Sequence, residues 1–171
     1  ALAYLHGQER ESTIAVYDFG GGTFDLSILD VANDLADVRG TRGNSTLGGA
    51  DLDWKIVEWL IERFHEEYGL DLSEDRAALQ RLRDSAERAK IELSSTLETE
   101  IHLPFLVADA SGPKHLQCSL SRANFETLTS SLLDQTIEEC RNCLEETGVN
   151  VEEIDEIIMV GGSSRIPAVQ E

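Results

Sequence analysis

Positive charge is scarce in this sequence. Lys and Arg number 14 against 33 Asp and Glu, a formal net charge of -19 over 171 residues. That balance argues against a nucleic acid partner, because phosphate backbones are held by clustered Lys and Arg. It argues equally against an anionic membrane surface. Long apolar runs are missing too: none approaches the ~20 residues that a membrane-spanning helix needs. No charged-then-apolar segment opens the chain. Cysteine is rare, with three residues (Cys118, Cys140, Cys143), and an odd number fits a reducing compartment. Cys140 and Cys143 form a C-x-x-C inside a helical pattern, and no second C-x-x-C or paired His completes a metal site. They read as two reduced helix cysteines. Internal repeats, low-complexity tracts and linkers are absent as well. The chain opens Ala-Leu-Ala-Tyr without Met and stops just after a helix start, so the expectation is a piece of a longer protein.

What is present is an α/β pattern with 41% hydrophobic residues, enough for one domain or two small lobes with a real core. Residues 12–18 read as a strand, and residues 23–31 alternate apolar and polar as a second. Asn33-Asp34 reads as a turn, and residues 35–41 as a third strand. Beyond the loop Leu47-Gly48-Gly49-Ala50-Asp51, the spacing of Ile56, Leu60 and Phe64 predicts a helix closed by Gly69. Ser73 is the expected N-cap of the next helix, which keeps Leu79, Leu82, Ala86, Ala89 and Leu93 on one face. Strands are expected over 99–107 and 115–120 around an Asp109–Lys114 turn. A long helix is expected over 121–146, with Leu128, Leu132 and Cys140 in its core. Ile157-Ile158-Met159-Val160 reads as a buried strand. The middle of the chain looks inserted into a sheet that the last strand completes.

Three constellations could carry chemistry. In Asp18-Phe19-Gly20-Gly21-Gly22-Thr23-Phe24-Asp25 a glycine turn joins strand to strand. Its N–H groups can form a concave nest for anionic oxygens. A side chain at Gly21 would oppose any left-handed backbone and crowd a bound phosphate. Asp18 and Asp25 can both face the turn, and two carboxylates beside a phosphate suit a magnesium ion held through its waters. Thr23 adds a hydroxyl. This is no Walker loop, which joins strand to helix and carries G-x-x-x-x-G-K-S/T. Nor do a His-Arg-Asp loop or a Val-Ala-Ile-Lys strand accompany the Asp-Phe-Gly as in a kinase. In Val160-Gly161-Gly162-Ser163-Ser164-Arg165-Ile166-Pro167 a buried strand ends, a serine can cap, and proline enters the first helical turn, where free N–H groups favour anions. Glu87, Lys90 and Ser94 form a stripe on one helix face, which by itself reads as a solvated surface.

The motifs "VYDFGGGTFD", "LGGADLD", "ERAKIELSS", "ADASGPKH" and "IIMVGGSSRIP" stand in the order and at roughly the spacing of the seventy-kilodalton heat-shock chaperones. The chain resembles this DnaK-like family from end to end. It is similar to the second lobe of the family's ATPase domain, an α/β actin-like (RNase-H-like) lobe with an inserted α+β subdomain. The resemblance divides it into residues 1–47 and 129–171, the RNase-H-like part, and residues 48–128, the insert. It implies ATP or ADP and Mg2+ as cofactors. Asp18 and Asp25 would hold the ion's waters, and with Thr23 they are the catalytic candidates. Gly20, Gly21, Gly22 and Thr23 would contact phosphates, and Gly48 and Gly49 would lie near the nucleotide. Glu87, Lys90 and Ser94 would reach the ribose, which reverses the bland reading of that stripe. Gly161, Gly162, Ser163, Arg165 and Ile166 would bracket the adenosine.

The implied partners are the first lobe of the same domain, a J-domain co-chaperone, a GrpE-like exchange factor and unfolded polypeptide bound by a separate domain. Hydrolysis is expected of the intact protein and not of this piece. Ala50 stands where the family usually has an acid, and Leu5-His6 where it has a small residue. Ile91, with "ADASGPKH", resembles the bacterial and mitochondrial branch, so the bacterial cytoplasm or mitochondrial matrix is the expected location. The rival readings are a sugar-kinase-like enzyme and a filament-forming actin relative.

Overall fold

The computed structural model describes residues 11–32 and 35–171. Ala1-Leu2-Ala3-Tyr4, Leu5-His6 and the Asn33-Asp34 turn lie outside the described residues. The described residues form β1 (Ser12–Phe19), β2 (Phe24–Ala32), β3 (Leu35–Asn44), α1 (Gly49–Tyr68), α2 (Arg76–Leu93), β4 (Glu98–Asp109), β5 (Gly112–Ser121), α3 (Arg122–Thr147), β6 (Glu156–Val160) and α4 (Pro167–Gln170). Short 3-10 turns lie at Val151–Glu153 and Ser163–Arg165. The chain divides into two compact units, one running up to Gly49 and resuming at Ser131, the other being Ala50–Ser130.

The first unit holds a four-stranded sheet in the order β3-β2-β1-β6, with β1 antiparallel to β2 and parallel to β6. Period-2 alternation sorts its side chains. Ile14, Val16, Leu29 and Val31 make a core on one face, with Ile158 and Val160 packed against it. Tyr17, Phe19 and Phe24 cluster on the other face, the two Phe rings edge-on at 5.9 Å and both fully buried. The Tyr17 hydroxyl donates to Thr136 Oγ1 of α3 at 2.9 Å. Arg42 of β3 forks between Glu139 and Glu146 of the same helix.

In the second unit α1 buries Leu52, Ile56, Val57, Leu60 and Phe64, the stripe of an amphipathic helix. Gly69 ends it at φ +68°, and its N–H bonds to the His65 carbonyl at 2.8 Å. α2 packs against β4, which pairs antiparallel with β5.

Four expectations need correction. The N-cap of α2 is Asp75, whose Oδ1 accepts from the N–H groups of Ala77 and Ala78. Ser73 is instead drawn into a turn by the Asp71 carboxylate. The hairpin between β4 and β5 is tighter than expected, with Asp109 paired to Gly112, whose φ of +109° closes the turn. Along α3, Leu128, Leu132 and Cys140 are only half-buried, and the fully packed positions are Phe125, Thr129, Thr136 and Cys143. The buried threonines hide because their hydroxyls bond back to helix carbonyls, Thr129 to Phe125 and Thr136 to Leu133. Finally, β6 is not buried. It lies at the sheet edge, with Ile157 63% and Met159 38% exposed.

All three cysteines are free. Burial pushes the Cys140 thiol up to about 11, with Cys143 and Glu139 adding to the rise. A thiol raised in this way keeps its proton at neutral pH. Among the described residues no helix is long and apolar enough to cross a membrane.

Candidate functional site

The site grows out of the hairpin register. Asp18 pairs directly with Asp25 and Phe19 with Phe24, so the last two rungs send a pair of rings into the core and a pair of carboxylates the other way. The Phe pair clamps the hairpin end from beneath, and both Asp residues stay exposed. Two glycines, Gly43 on β3 and Gly161 just past the end of β6, make room for the carboxylates. A Cβ on Gly43 would lie 2.4 Å from Asp25 Oδ1, and one on Gly161 would lie 2.9 Å from Asp18 Oδ1. Gly43 was not singled out from sequence; its register partner is Asp25.

Residues 20–23 cross between the strands, closed by Gly20 N–H to the Thr23 carbonyl at 3.0 Å. Two distant segments lock onto this turn. The Gly20 carbonyl accepts from Gly49 N–H at 3.0 Å and from the Ser163 hydroxyl at 2.9 Å. A Cβ on Gly48 would meet Gly22 backbone atoms at 2.5 Å, so Gly48 lies directly against the turn. Ser163 therefore does not cap a helix, as its position before Pro167 led one to expect; it ties the 3-10 turn to the glycines. Helix α4 starts at Pro167 with no side-chain cap. Gly161 lies at φ +89° with its Cα against the Phe19 carbonyl, where a Cβ would come within 2.3 Å. Gly162 and Arg165 are exposed, while the Ile166 side chain is 3% exposed and packs in the core.

Gly21 and Gly22, like Gly162, differ from Gly43, Gly48 and Gly161. Neither has a left-handed φ, and a Cβ on either would meet nothing within 4 Å. Neither backbone strain nor packing inside the protein requires glycine at these two exposed positions. Open space over bare backbone, beside two carboxylates, is what a phosphate group with a metal ion fits. The donor set suits Mg2+, which takes one or two carboxylates and keeps waters, rather than a fully protein-made cage. Among the described residues no group of three or more His, Cys, Asp and Glu could hold a metal.

Glu87, Lys90 and Ser94 belong to the second unit. Glu87 is exposed, and the Ser94 hydroxyl turns back to the Lys90 carbonyl at 3.4 Å. Lys90 Nζ donates to Asp53 Oδ2 of α1 at 2.8 Å. Sequence reasoning missed Asp53; its only signal was an acid in the first turns of a helix, which the helix dipole accounts for. Within this unit a cavity of about 410 Å³ is lined by Asp51, Asp53, Trp54, Arg83, Asp84 and Glu87. The Arg83 guanidinium stacks over the Trp54 ring at 5.0 Å. A cavity of about 420 Å³ in the first unit lies at the far end of β1, around Thr13, Asp30 and Asp155, and shares no residue with the glycine turn.

The fold and the site define an α/β protein with an exposed glycine turn between two paired carboxylates. The family model described as Hsp70 protein matches residues 1–171, and the chain belongs to the Hsp70 family. Its mixed α/β structure is that of the family's actin-like ATPase lobe, and the family consists of ATP-binding heat-shock chaperones.

Proposed function

We propose that this chain is the second lobe of the ATPase domain of a DnaK-like chaperone, and that the glycine turn binds the phosphates of ATP or ADP with Mg2+. The observation that carries this reading is the convergence of Gly20–Thr23, Gly48-Gly49 and Gly161–Ser163 around Asp18 and Asp25 in a chain of the Hsp70 family. The backbone of Gly20, Gly21 and Gly22 and the Thr23 hydroxyl would contact phosphate oxygens. Asp18 and Asp25 would hold waters of the ion, which would offset phosphate charge against a chain of net charge -19. Glu87, Lys90 and Ser94 would reach the ribose. Gly161, Gly162 and Arg165 would flank the adenosine, and Ile166 would contribute through its backbone. Residues 1–47 and 129–171 are proposed as the RNase-H-like subdomain, and residues 48–128 as the insert.

In the intact protein, closure of two lobes on ATP would set the affinity for unfolded polypeptide in a separate domain. A J-domain co-chaperone would stimulate hydrolysis and a GrpE-like factor would release ADP. The bacterial cytoplasm or mitochondrial matrix is the compartment this reading favours, on Ile91 and "ADASGPKH". The sugar-kinase-like and filament-forming readings have no observation in their favour.

Two results are expected. The chain alone does not turn over ATP, because phosphoryl transfer needs groups positioned on both sides of the phosphate and the first lobe supplies half of them. A phosphate-release assay checks this; steady Mg2+-dependent turnover at the rate of an intact chaperone contradicts it. Asp18→Asn and Asp25→Asn each remove most of the gain in ADP affinity that Mg2+ confers, with the melting temperature unchanged or slightly raised, since one of two adjacent like charges is gone. Calorimetric titration with and without Mg2+ reads this directly. An undiminished Mg2+ effect in both variants removes the metal role.

A further inference from the structure

The Gly20 carbonyl turns away from its own turn. In a tight turn the carbonyl of the first residue commonly accepts from the N–H three residues on. Here Gly20 N–H bonds to the Thr23 carbonyl at 3.0 Å, but the return bond from Thr23 N–H to the Gly20 carbonyl is absent. That carbonyl accepts instead from Gly49 N–H at 3.0 Å and from the Ser163 hydroxyl at 2.9 Å, which occupies both its lone pairs. Ser163 is 5% exposed and reaches the turn from 143 residues away. The Gly20–Gly21 peptide is trans, and a trans peptide sets its N–H opposite its carbonyl. The Gly21 N–H therefore points away from Ser163 and Gly49. Among the described residues the N–H groups of Gly21, Gly22 and Thr23 have no hydrogen-bond partner.

We infer that Ser163 is a positioning residue for phosphate binding: its hydroxyl, together with Gly49 N–H, fixes the Gly20–Gly21 peptide so that the Gly21 N–H stays open to a phosphate oxygen. The inference rests on the nucleotide reading proposed above. Glycine on both sides gives this peptide little resistance to rotation. A rotated peptide would turn its carbonyl outward, and a carbonyl oxygen repels an anion where an N–H attracts it. The resemblance to the chaperones sets Ser163 against the adenosine, but the single proton of its hydroxyl is committed to Gly20. Its effect therefore falls on the phosphate side of the site and not on the sugar or the base.

The test separates phosphates from nucleoside by titrating Mg-ADP, Mg-pyrophosphate and adenosine into the chain and its variants. Ser163→Ala is expected to lose about fivefold in affinity for Mg-ADP and Mg-pyrophosphate alike, the scale of one neutral hydrogen bond, with adenosine affinity unchanged. Ser163→Thr, which keeps the hydroxyl, recovers most of the loss. Unchanged Mg-pyrophosphate affinity in Ser163→Ala overturns the inference while the nucleotide reading stands; a fall for Mg-ADP and adenosine in its place would put Ser163 on the nucleoside. An equal loss for all three ligands overturns it too, by making Ser163 a general support of the fold. A parent that binds neither Mg-ADP nor Mg-pyrophosphate overturns the nucleotide reading and the inference together. Should Ser163→Ala not fold, the parent decides: its Gly21 amide resonance must shift when Mg-pyrophosphate is added, and a Gly21 amide that stays in place overturns the inference.

Discussion

Gly161→Ala is expected to lower stability by about 3 kcal/mol, the sum of two costs. A left-handed backbone costs a residue with a Cβ roughly 1–2 kcal/mol, and Gly161 lies at φ +89°. Forcing an atom into a packed site costs roughly 1–3 kcal/mol more, and here the Cβ would come within 2.3 Å of the Phe19 carbonyl oxygen and 2.9 Å of Asp18 Oδ1. Backbone cannot swing aside as a long side chain can, so the strand ends must separate. For a chain of this size the loss corresponds to a fall in melting temperature of roughly 10 °C. Thermal unfolding followed by circular dichroism measures it. Gly21→Ala is the control: its Cβ meets nothing within 4 Å, so its melting temperature stays level with the parent. A Gly161→Ala protein as stable as the parent would mean that the junction of β1, β6 and the 3-10 turn is loose, and the geometry assigned to the site would fail with it.

The sequence made the hairpin legible because alternation is a local signal. Alternating apolar and polar residues mark β2, a run of apolar residues marks β1, and the register then makes Asp18 and Asp25 neighbours. The meeting of Gly48, Gly49 and Ser163 with the turn was not legible, since bonds such as Ser163 to Gly20 join residues 143 apart and nothing local encodes them. The residues themselves marked 160–167 as an anion-type turn, but only the family resemblance placed that segment and Gly48-Gly49 beside the same ligand. Burial misled in two instructive places. The apolar run of β6 reads as buried, yet a strand at a sheet edge pairs on one side only, and Ile157 and Met159 remain open. Thr129 and Thr136 are polar by type and stand outside the expected core, yet a threonine that satisfies its hydroxyl on its own helix can be buried like a small apolar residue. The N-cap of α2 slipped by two residues because Asp71, Ser73 and Asp75 are all competent caps, and the outcome depends on which one the preceding turn consumes.

The central claim is that Gly21 and Gly22 are glycines for the sake of a ligand and not of the fold. Every other reason for glycine has been met elsewhere: Gly161 by its backbone angle, Gly48 by contact with the turn, Gly43 by the Asp25 carboxylate. At Gly21 the space is open, so a branched side chain should be tolerated by the folded chain and resented only by what binds there. Gly21→Val is therefore expected to fold with the parent's circular-dichroism spectrum. It should bind Mg-ADP at least tenfold more weakly, a loss of at least ~1.4 kcal/mol, because the isopropyl group occupies the place of phosphate oxygens. Isothermal titration of Mg-ADP into the parent and into Gly21→Val is the measurement. The account predicts binding in the parent and its loss in a folded variant. A folded Gly21→Val that binds Mg-ADP as tightly as the parent would contradict it, and the triple glycine would be only a turn.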